Sequence, residues 1–184
     1  MARLTPYHPS RRAFPPLPSD LRTQWEAIVP SVSGSLQYRP CSAALKSGPV
    51  IPCVYVIDAQ AYIGTWGVWP QDDLGKLYVD VEDVASISES PFRLPVRFAN
   101  ELYRAGESGM GYSAFTVVLA DATEAHFTSG GALDFIALPD GRSVADIVRV
   151  IPHSGRGQTQ TPSPKYYWCL FGSGEGRGGS RRFV

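Results

Sequence analysis

The middle of the chain carries short apolar runs and alternating apolar and polar positions, a pattern typical of β-strands. Residues 53–57 form an apolar run rich in side chains that favour strands. Residues 62–69 are aromatic and apolar, with glycines that indicate bends in a further strand. The alternation over residues 77–82 predicts a strand with one buried face, and residues 84–88 either continue it or form a turn.

The second half of the chain predicts a hairpin and a neighbouring strand. Residues 113–120 and 123–128 alternate, and Asp121-Ala122 between them can turn the chain. A Gly-Gly pair then leads into residues 132–138, so the pattern predicts an antiparallel meander of three strands. The apolar run 166–171 predicts a late strand or a surface that packs on a partner.

Three segments have helical spacing of their apolar residues. They are residues 20–29, residues 95–105 and residues 144–151. Pro95 suits a first helical turn and Gly106 suits a C-terminal cap, which delimits the second helix. The other segments, including the Ser-, Pro- and Gly-rich residues 31–52, are predicted to be loops.

These elements predict an α+β, β-dominated single domain. Its core is a mostly antiparallel, curled or barrel-like sheet, with about three short helices and extended N- and C-terminal arms. Residues 1–52 are expected to form a Pro-rich basic arm with one short helix, and residues 53–153 an acidic β-rich core. Residues 154–184 are expected to hold a polar linker, the late apolar strand and a flexible Arg/Gly tail.

The net charge is zero, but the charges are segregated along the chain. Residues 1–50 carry six basic and two acidic groups, residues 51–146 five and fourteen, and residues 147–184 six and one. The basic arms can wrap the acidic body of the same chain or of a second copy, or they can bind nucleic acid. The pI of 6.8 favours the first interpretation, because nucleic-acid-binding domains usually have a pI above about 9.

Composition and cysteine usage indicate a globular cytosolic protein. With 43% hydrophobic residues the chain can form a core, which excludes a wholly disordered protein. No apolar run reaches about 18 residues, so neither a membrane-spanning helix nor a secretory signal is expected. The three cysteines are far apart and are expected to be reduced. The excess of arginine over lysine, with many Gly, Pro and Ala residues, indicates a GC-rich bacterial genome.

The glycine-rich segment 106–112 is the most distinctive local motif. It nearly matches a phosphate-binding loop, but Tyr112 replaces the lysine, and a predicted helix precedes the loop where a strand is needed. Nucleotide binding is therefore not favoured. The segment is either a tight turn or a binding loop in which Glu107, Ser108, Gly109 and Tyr112 contact a ligand.

Aromatic residues supply a second group of candidate ligand-binding residues. Tyr62, Trp66 and Trp69 lie close together in the sequence beside Asp72. They can stack against a ligand, or they can belong to the core, which is the favoured interpretation because aromatic side chains bury large apolar areas.

A hydrolytic site is the main catalytic alternative. The segment Gly-Glu-Ser-Gly resembles the serine neighbourhood of chymotrypsin-like proteases over four residues only. Ser108, Glu107 and His126 are the candidate catalytic residues, with His153 and Asp134 as further members of a possible set. The histidines lack a second ligand at metal-binding spacing, so neither a metal nor a cofactor is predicted.

The sequence therefore favours a non-catalytic bacterial cytosolic binding or interaction module of unknown ligand. A small hydrolase is the alternative, and a nucleic-acid-associated protein that uses its basic arms is a second one. A homo-oligomer, most often a dimer, is the expected assembly. Whether the protein is an enzyme stays open at this point.

Overall fold

The computed structural model describes residues 12–154 and 161–173. Within them the protein is α+β and β-rich, which confirms the predicted class. The α-helices are α1 (Ser19–Glu26), α2 (Ala59–Trp66) and α3 (Val96–Ala105). The strands are β1 (Ser31–Ser33), β2 (Leu36–Tyr38), β3 (Pro40–Leu45), β4 (Val50–Asp58), β5 (Leu77–Tyr78), β6 (Val84–Glu89), β7 (Ser113–Leu119), β8 (Glu124–Ser129), β9 (Ile147–Pro152), β10 (Thr161–Pro162) and β11 (Tyr167–Phe171).

The larger sheet has five strands in the order β5-β11-β4-β3-β6. Strand β4 is central, antiparallel to β3 and parallel to β11. Its residues 53–57 are all buried, which explains why they read as one continuous apolar run rather than as an alternation. The late apolar run also becomes an internal strand, β11, so it does not supply the exposed surface that supported the prediction of a homodimer.

The second sheet has four strands in the order β10-β8-β7-β9. The predicted hairpin is confirmed as β7 and β8, and Ala122 turns the chain between them with φ +64°. Strands β1 and β2 form a separate hairpin. Most strand pairs are antiparallel, as expected, but neither main sheet closes on itself among the described residues. The barrel-like curl therefore stays a prediction.

Each helix covers one part of these sheets. Helix α1 buries Leu21 in a cluster with Val54 and Cys169 on one face of the five-stranded sheet. Helix α2 contributes Tyr62 to a cluster on the opposite face. Helix α3 buries Phe98 against the four-stranded sheet. The apolar stripes of α1 and α3 are the ones that the spacing in the sequence predicts.

Residues 62–69 were expected to form a strand, and that expectation is wrong. Asp58 caps α2, because its side chain accepts hydrogen bonds from the backbone N–H groups of Gln60 and Ala61. Gly67 then ends the helix with φ +69°. These capping signals outweigh the β-propensity of the aromatic residues between them.

The helix expected at residues 144–151 is also wrong. The Ser143 cap is present, but it begins a single 3₁₀ turn, Val144–Asp146. Strand β9 follows at once and pairs with β7, on the side opposite β8. Four of the six residues of β9 are β-branched, and pairing with a buried strand favours their extended conformation.

Three further expectations are corrected by the pairing of the strands. The predicted loop 31–52 contains β1, β2 and β3, and β3 is hydrogen-bonded between β4 and β6. The strand expected over residues 77–82 is limited to β5 and is followed by a 3₁₀ turn, Val81–Asp83. Residues 132–138 form no strand, and their pairing is limited to an isolated bridge between Phe135 and Arg93 and its neighbouring backbone hydrogen bonds.

Residues 1–11, 155–160 and 174–184 lie outside the described residues, so most of both arms and the Arg/Gly tail stay predictions. The described part of the N-terminal segment contacts the body of its own chain. Arg12 forms an ion pair with Asp72 at 2.6 Å, and the backbone N–H of Gly172 donates to Pro15. In residues 12–154 and 161–173 no helix has the length and apolar character needed to span a membrane.

A buried carboxylate connects the five-stranded sheet to helix α3. Asp134 accepts hydrogen bonds from the hydroxyls of Tyr55 in β4, at 3.0 Å, and Tyr103 in α3, at 2.6 Å. Its backbone N–H donates to Tyr55, and its backbone carbonyl accepts from Leu94. Burial raises the pKa of Asp134, and the tyrosine hydrogen bonds oppose that shift.

Candidate functional site

A cleft of about 540 Å³ opens where the edges of the two main sheets meet. Residues 74–77 at β5 and residues 162–166 after β10 form two of its sides, and both strands are edge strands. Residues 111–112 and 128–130 line the rest, with Trp168 beneath. The volume lies within the range of about 300–1,000 Å³ that is usual for small-molecule sites.

The segment between β10 and β11 shapes the cleft. Strand β10 runs parallel to β8, and both the backbone N–H and the hydroxyl of Ser163 donate to the carbonyl of Thr128. The chain then passes from the four-stranded to the five-stranded sheet, where β11 begins. Tyr166 and Trp168 therefore lie between the two sheets, with their rings 5.6 Å apart in an edge-on arrangement.

Lys76 is held in a fixed position at one wall of the cleft. Its ammonium donates to the Tyr62 hydroxyl at 3.0 Å and lies 3.6 Å from the Asp73 carboxylate. The same ammonium lies 4.5 Å from the centre of the Trp66 ring. Only 16% of the side chain is exposed, and this burial lowers the pKa of Lys76 against the opposing effect of Asp73.

The second lysine, Lys165, is exposed at the rim of the cleft. Its ammonium has neither a hydrogen bond nor an ion pair with any of the described residues. The described lining contains these two lysines and no carboxylate, although residues 51–146 carry fourteen acidic groups. The lining therefore offers two cationic side chains to an anion, one paired with Asp73 behind it and one exposed to solvent.

Apolar side chains complete the cleft and its surroundings. Tyr112 and Tyr166 contribute aromatic surface to the lining. Leu74 at the rim is fully exposed, Leu77 is partly exposed, and Met110 beside the lining is almost fully exposed. Large exposed apolar side chains that cluster around a cleft are typical of binding sites. The arrangement suits a ligand with both a negative charge and an apolar part.

The glycine-rich segment 106–112 folds back on itself beside the cleft. The backbone N–H groups of Ser108 and Gly109 donate to the Tyr112 carbonyl, and the Glu107 side chain accepts from Gly111. At Gly109 a Cβ atom would lie 2.5 Å from the Tyr112 ring, so a larger residue there would require that ring to move. Gly111 and Tyr112 line the cleft, whereas the hydrogen bonds of Glu107 and Ser108 lie within the segment or extend to β7.

The predicted aromatic group lies mainly in the core. Tyr62 and Trp69 are buried and stack with their ring centres 6.4 Å apart. Trp66 is half-buried, stacks on Tyr62 at 6.2 Å and contacts the Lys76 ammonium. Tyr62 and Trp66 therefore do not line the cleft, but they contact Lys76, which does.

The hydroxyl and carboxylate of the predicted hydrolytic set are hydrogen-bonded to other groups. The Ser108 hydroxyl accepts from the Ala114 N–H at 2.7 Å and donates to the carbonyl of that residue at 3.1 Å. His126 is hydrogen-bonded to Thr116, and the Asp134 carboxylate is hydrogen-bonded to the two tyrosines described above. No hydrogen bond links Ser108 to His126 or to Asp134.

Reasoning from the sequence did not select Lys76, Lys165 or Tyr166. The scarcity of lysine was the available signal, because the chain contains only three lysines and two of them line the cleft. Lys76 and Lys165 reach the same cleft because β11 pairs with β5 and β10 pairs with β8. Neither pairing can be predicted from a short stretch of sequence.

Comparison with known proteins assigns no family to this chain. No protein-family model, curated protein or solved structure matches it.

Proposed function

We propose that this protein is a non-catalytic, cytosolic binding module whose ligand is an organic anion with an aromatic or apolar part. The observation that carries this proposal is the described lining of the cleft, which has two lysines and no carboxylate. Its volume of about 540 Å³ suits a small molecule or a short segment of a larger partner.

The two lysines would act differently on the ligand. Lys76 has three N–H groups; Tyr62 accepts from one, and the Asp73 carboxylate is more distant at 3.6 Å. A ligand anion would accept from a remaining N–H in a partly desolvated site, where such a hydrogen bond is strong. Lys165, exposed at the rim, would pair with the anion from the solvent side and attract it during association.

The apolar part of the ligand would pack against the aromatic wall. Tyr112 and Tyr166 present ring surface there, and Leu77 adds aliphatic surface. The supporting rings behind Lys76 keep this wall rigid, so little ordering entropy is lost on binding.

The test compares a charged probe with a neutral one of similar shape. We expect 1-naphthyl phosphate to bind more tightly than 1-naphthalenemethanol, as measured by isothermal titration calorimetry. Lys76→Met should weaken binding of the phosphate about tenfold to a hundredfold, because a hydrogen bond to a charged group contributes about 1.5–3 kcal/mol. Lys165→Ala should weaken it about two- to fivefold, because an exposed ion pair contributes about 0–1 kcal/mol. Lys46→Ala is the matched control, since Lys46 is exposed and lies outside the cleft lining.

Two results would contradict the proposal. One is equal affinity for the two probes, or an equal effect of the Lys165 and Lys46 substitutions. The other is turnover: release of 1-naphthol that Ser108→Ala abolishes would favour the hydrolase instead.

A further inference from the structure

Two of the three histidines meet on the face of the four-stranded sheet opposite Phe115 and Phe127, and neither lines the cleft. His126 in β8 is the direct cross-strand neighbour of Thr116 in β7. On the other side of β7, Thr116 pairs with Ile151 in β9. His153 lies two residues after Ile151 and directly follows the end of β9. The His153 backbone N–H donates to Ala114, which extends this pairing. The two histidines are far apart in the sequence, and the order of the strands alone brings them together.

Both imidazole rings point at the same oxygen atom. The Thr116 Oγ1 lies 2.7 Å from His126 Nδ1 and 2.6 Å from His153 Nε2. A hydroxyl has one hydrogen to donate, so one ring accepts it while the other ring donates its own N–H to the oxygen. Thr116 is buried, with 2% of its surface exposed, and both rings are half-buried. The two nitrogens are thus held at a common point with little freedom.

We propose that His126 and His153 form a binding site for one divalent transition-metal ion, such as Zn²⁺, Ni²⁺ or Cu²⁺. Imidazole nitrogen is a preferred ligand of these three ions. Tetrahedral zinc with Zn–N distances of about 2.0–2.1 Å needs its two nitrogens about 3.3 Å apart. Both nitrogens already lie within 2.7 Å of the Thr116 Oγ1, so the two rings face the point near which an ion would be coordinated.

The coordination changes the hydrogen bonds at Thr116. Each ring must offer a lone pair to the ion, so the ring that donates its N–H to Thr116 has to adopt its other tautomer. No group of three or more His, Cys, Asp or Glu side chains in the described part of the chain is arranged to hold a metal. The remaining positions would therefore be filled by the Thr116 hydroxyl and by water, which predicts an accessible ion of moderate affinity rather than a closed structural site.

The experiment is a zinc titration of the full chain by calorimetry in metal-free buffer. We expect one ion per chain, with affinity reduced at least tenfold by His126→Gln and by His153→Gln. Removal of a side chain that only hydrogen-bonds to a metal ligand lowers metal affinity by about 10–100-fold, so removal of a ligand itself should have at least that effect. His8→Gln removes the remaining histidine and should leave the affinity unchanged.

Nuclear magnetic resonance keeps the proposal testable if either variant fails to fold. In the unsubstituted protein, zinc should shift the imidazole nitrogen signals of His126 and His153. The proposal is overturned if zinc does not bind saturably, or if it binds without moving these signals. It is also overturned if both folded variants retain full affinity, since the histidines would then serve only to hydrogen-bond Thr116.

Discussion

At the scale of single residues, Asp134 is a carboxylate that is completely removed from solvent. Its side chain is fully buried and accepts hydrogen bonds from Tyr55 and Tyr103. A buried carboxylate is unfavourable unless such donors satisfy it, and the two tyrosine hydroxyls in turn need an acceptor. The three side chains therefore stabilise the contact between β4 and α3 as a set.

We expect Asp134→Ala to lower the free energy of unfolding by about 2–4 kcal/mol, because it leaves two buried hydroxyls without their acceptor. Asp134→Asn retains a side-chain oxygen and should be less destabilising. Urea denaturation of the two variants measures the difference. An Ala variant within about 0.5 kcal/mol of the unsubstituted protein would show that water replaces the carboxylate.

At the scale of the elements, α2 demonstrates how capping can override strand propensity. The helix is short, and its aromatic residues favour strands in isolation. Asp58 satisfies two of its free N–H groups at 2.9 and 3.0 Å, and Gly67 allows the left-handed turn that ends it. The helix places Tyr62 and Trp66 beside Lys76, so its formation determines one wall of the cleft.

We expect Asp58→Ala to lower the free energy of unfolding by about 1 kcal/mol, the usual effect of losing an N-cap side chain. Asp58→Asn should have little effect, because asparagine caps helices as well as aspartate does. Thermal and urea unfolding followed by circular dichroism compare the pair. Equal stabilities of the Ala and Asn variants would contradict a capping role for this side chain.

At the scale of the whole molecule, buried tyrosines make the fold sensitive to alkaline pH. Burial raises the pKa of Tyr166 to about 12, and it raises the pKa of Tyr38, Tyr55 and Tyr103 in the same direction. In the unfolded chain the tyrosine pKa is about 10. Folding therefore favours the neutral phenols, and their contribution to stability is complete below pH 10.

We expect the free energy of unfolding to fall as the pH rises from about 10 towards 12, since the unfolded chain then releases protons that the folded chain retains. Urea unfolding at a series of alkaline pH values, with tyrosinate absorbance as a second readout, measures this loss. Tyr166→Phe should make the dependence less steep. If the buried tyrosines ionise near pH 10 while the fold persists, the interior is more accessible to water than the structure indicates.

Parts of the fold were predictable because their signals are local. Helices α1 and α3 follow from the spacing of their apolar residues, and the hairpin β7–β8 follows from alternation around Asp121-Ala122. The segment that contains β9 predicts a helix instead, because its apolar residues have helical spacing: Val144, Ile147, Val148 and Ile151. Its pairing with β7 is a non-local interaction that the stripe does not encode.

The candidate cleft was predictable only in part. Tyr112 was selected because it lies in a glycine-rich segment, and it does line the cleft. Lys76 and Lys165 were not selected, since each follows an unremarkable turn or polar segment. Their roles depend on the edges of two sheets meeting, and no short stretch of sequence contains that information.

The sequence by itself determined the α+β class, the apolar segments that become the core and the local turns. These depend on side-chain burial and backbone preference within a few residues. Only the tertiary structure decided which strands are neighbours, and therefore that Lys76 approaches Lys165 across a cleft and that His126 meets His153 at Thr116. The physical reason is that strand pairing uses backbone hydrogen bonds common to all residues, so partners are selected by the packing of the whole core.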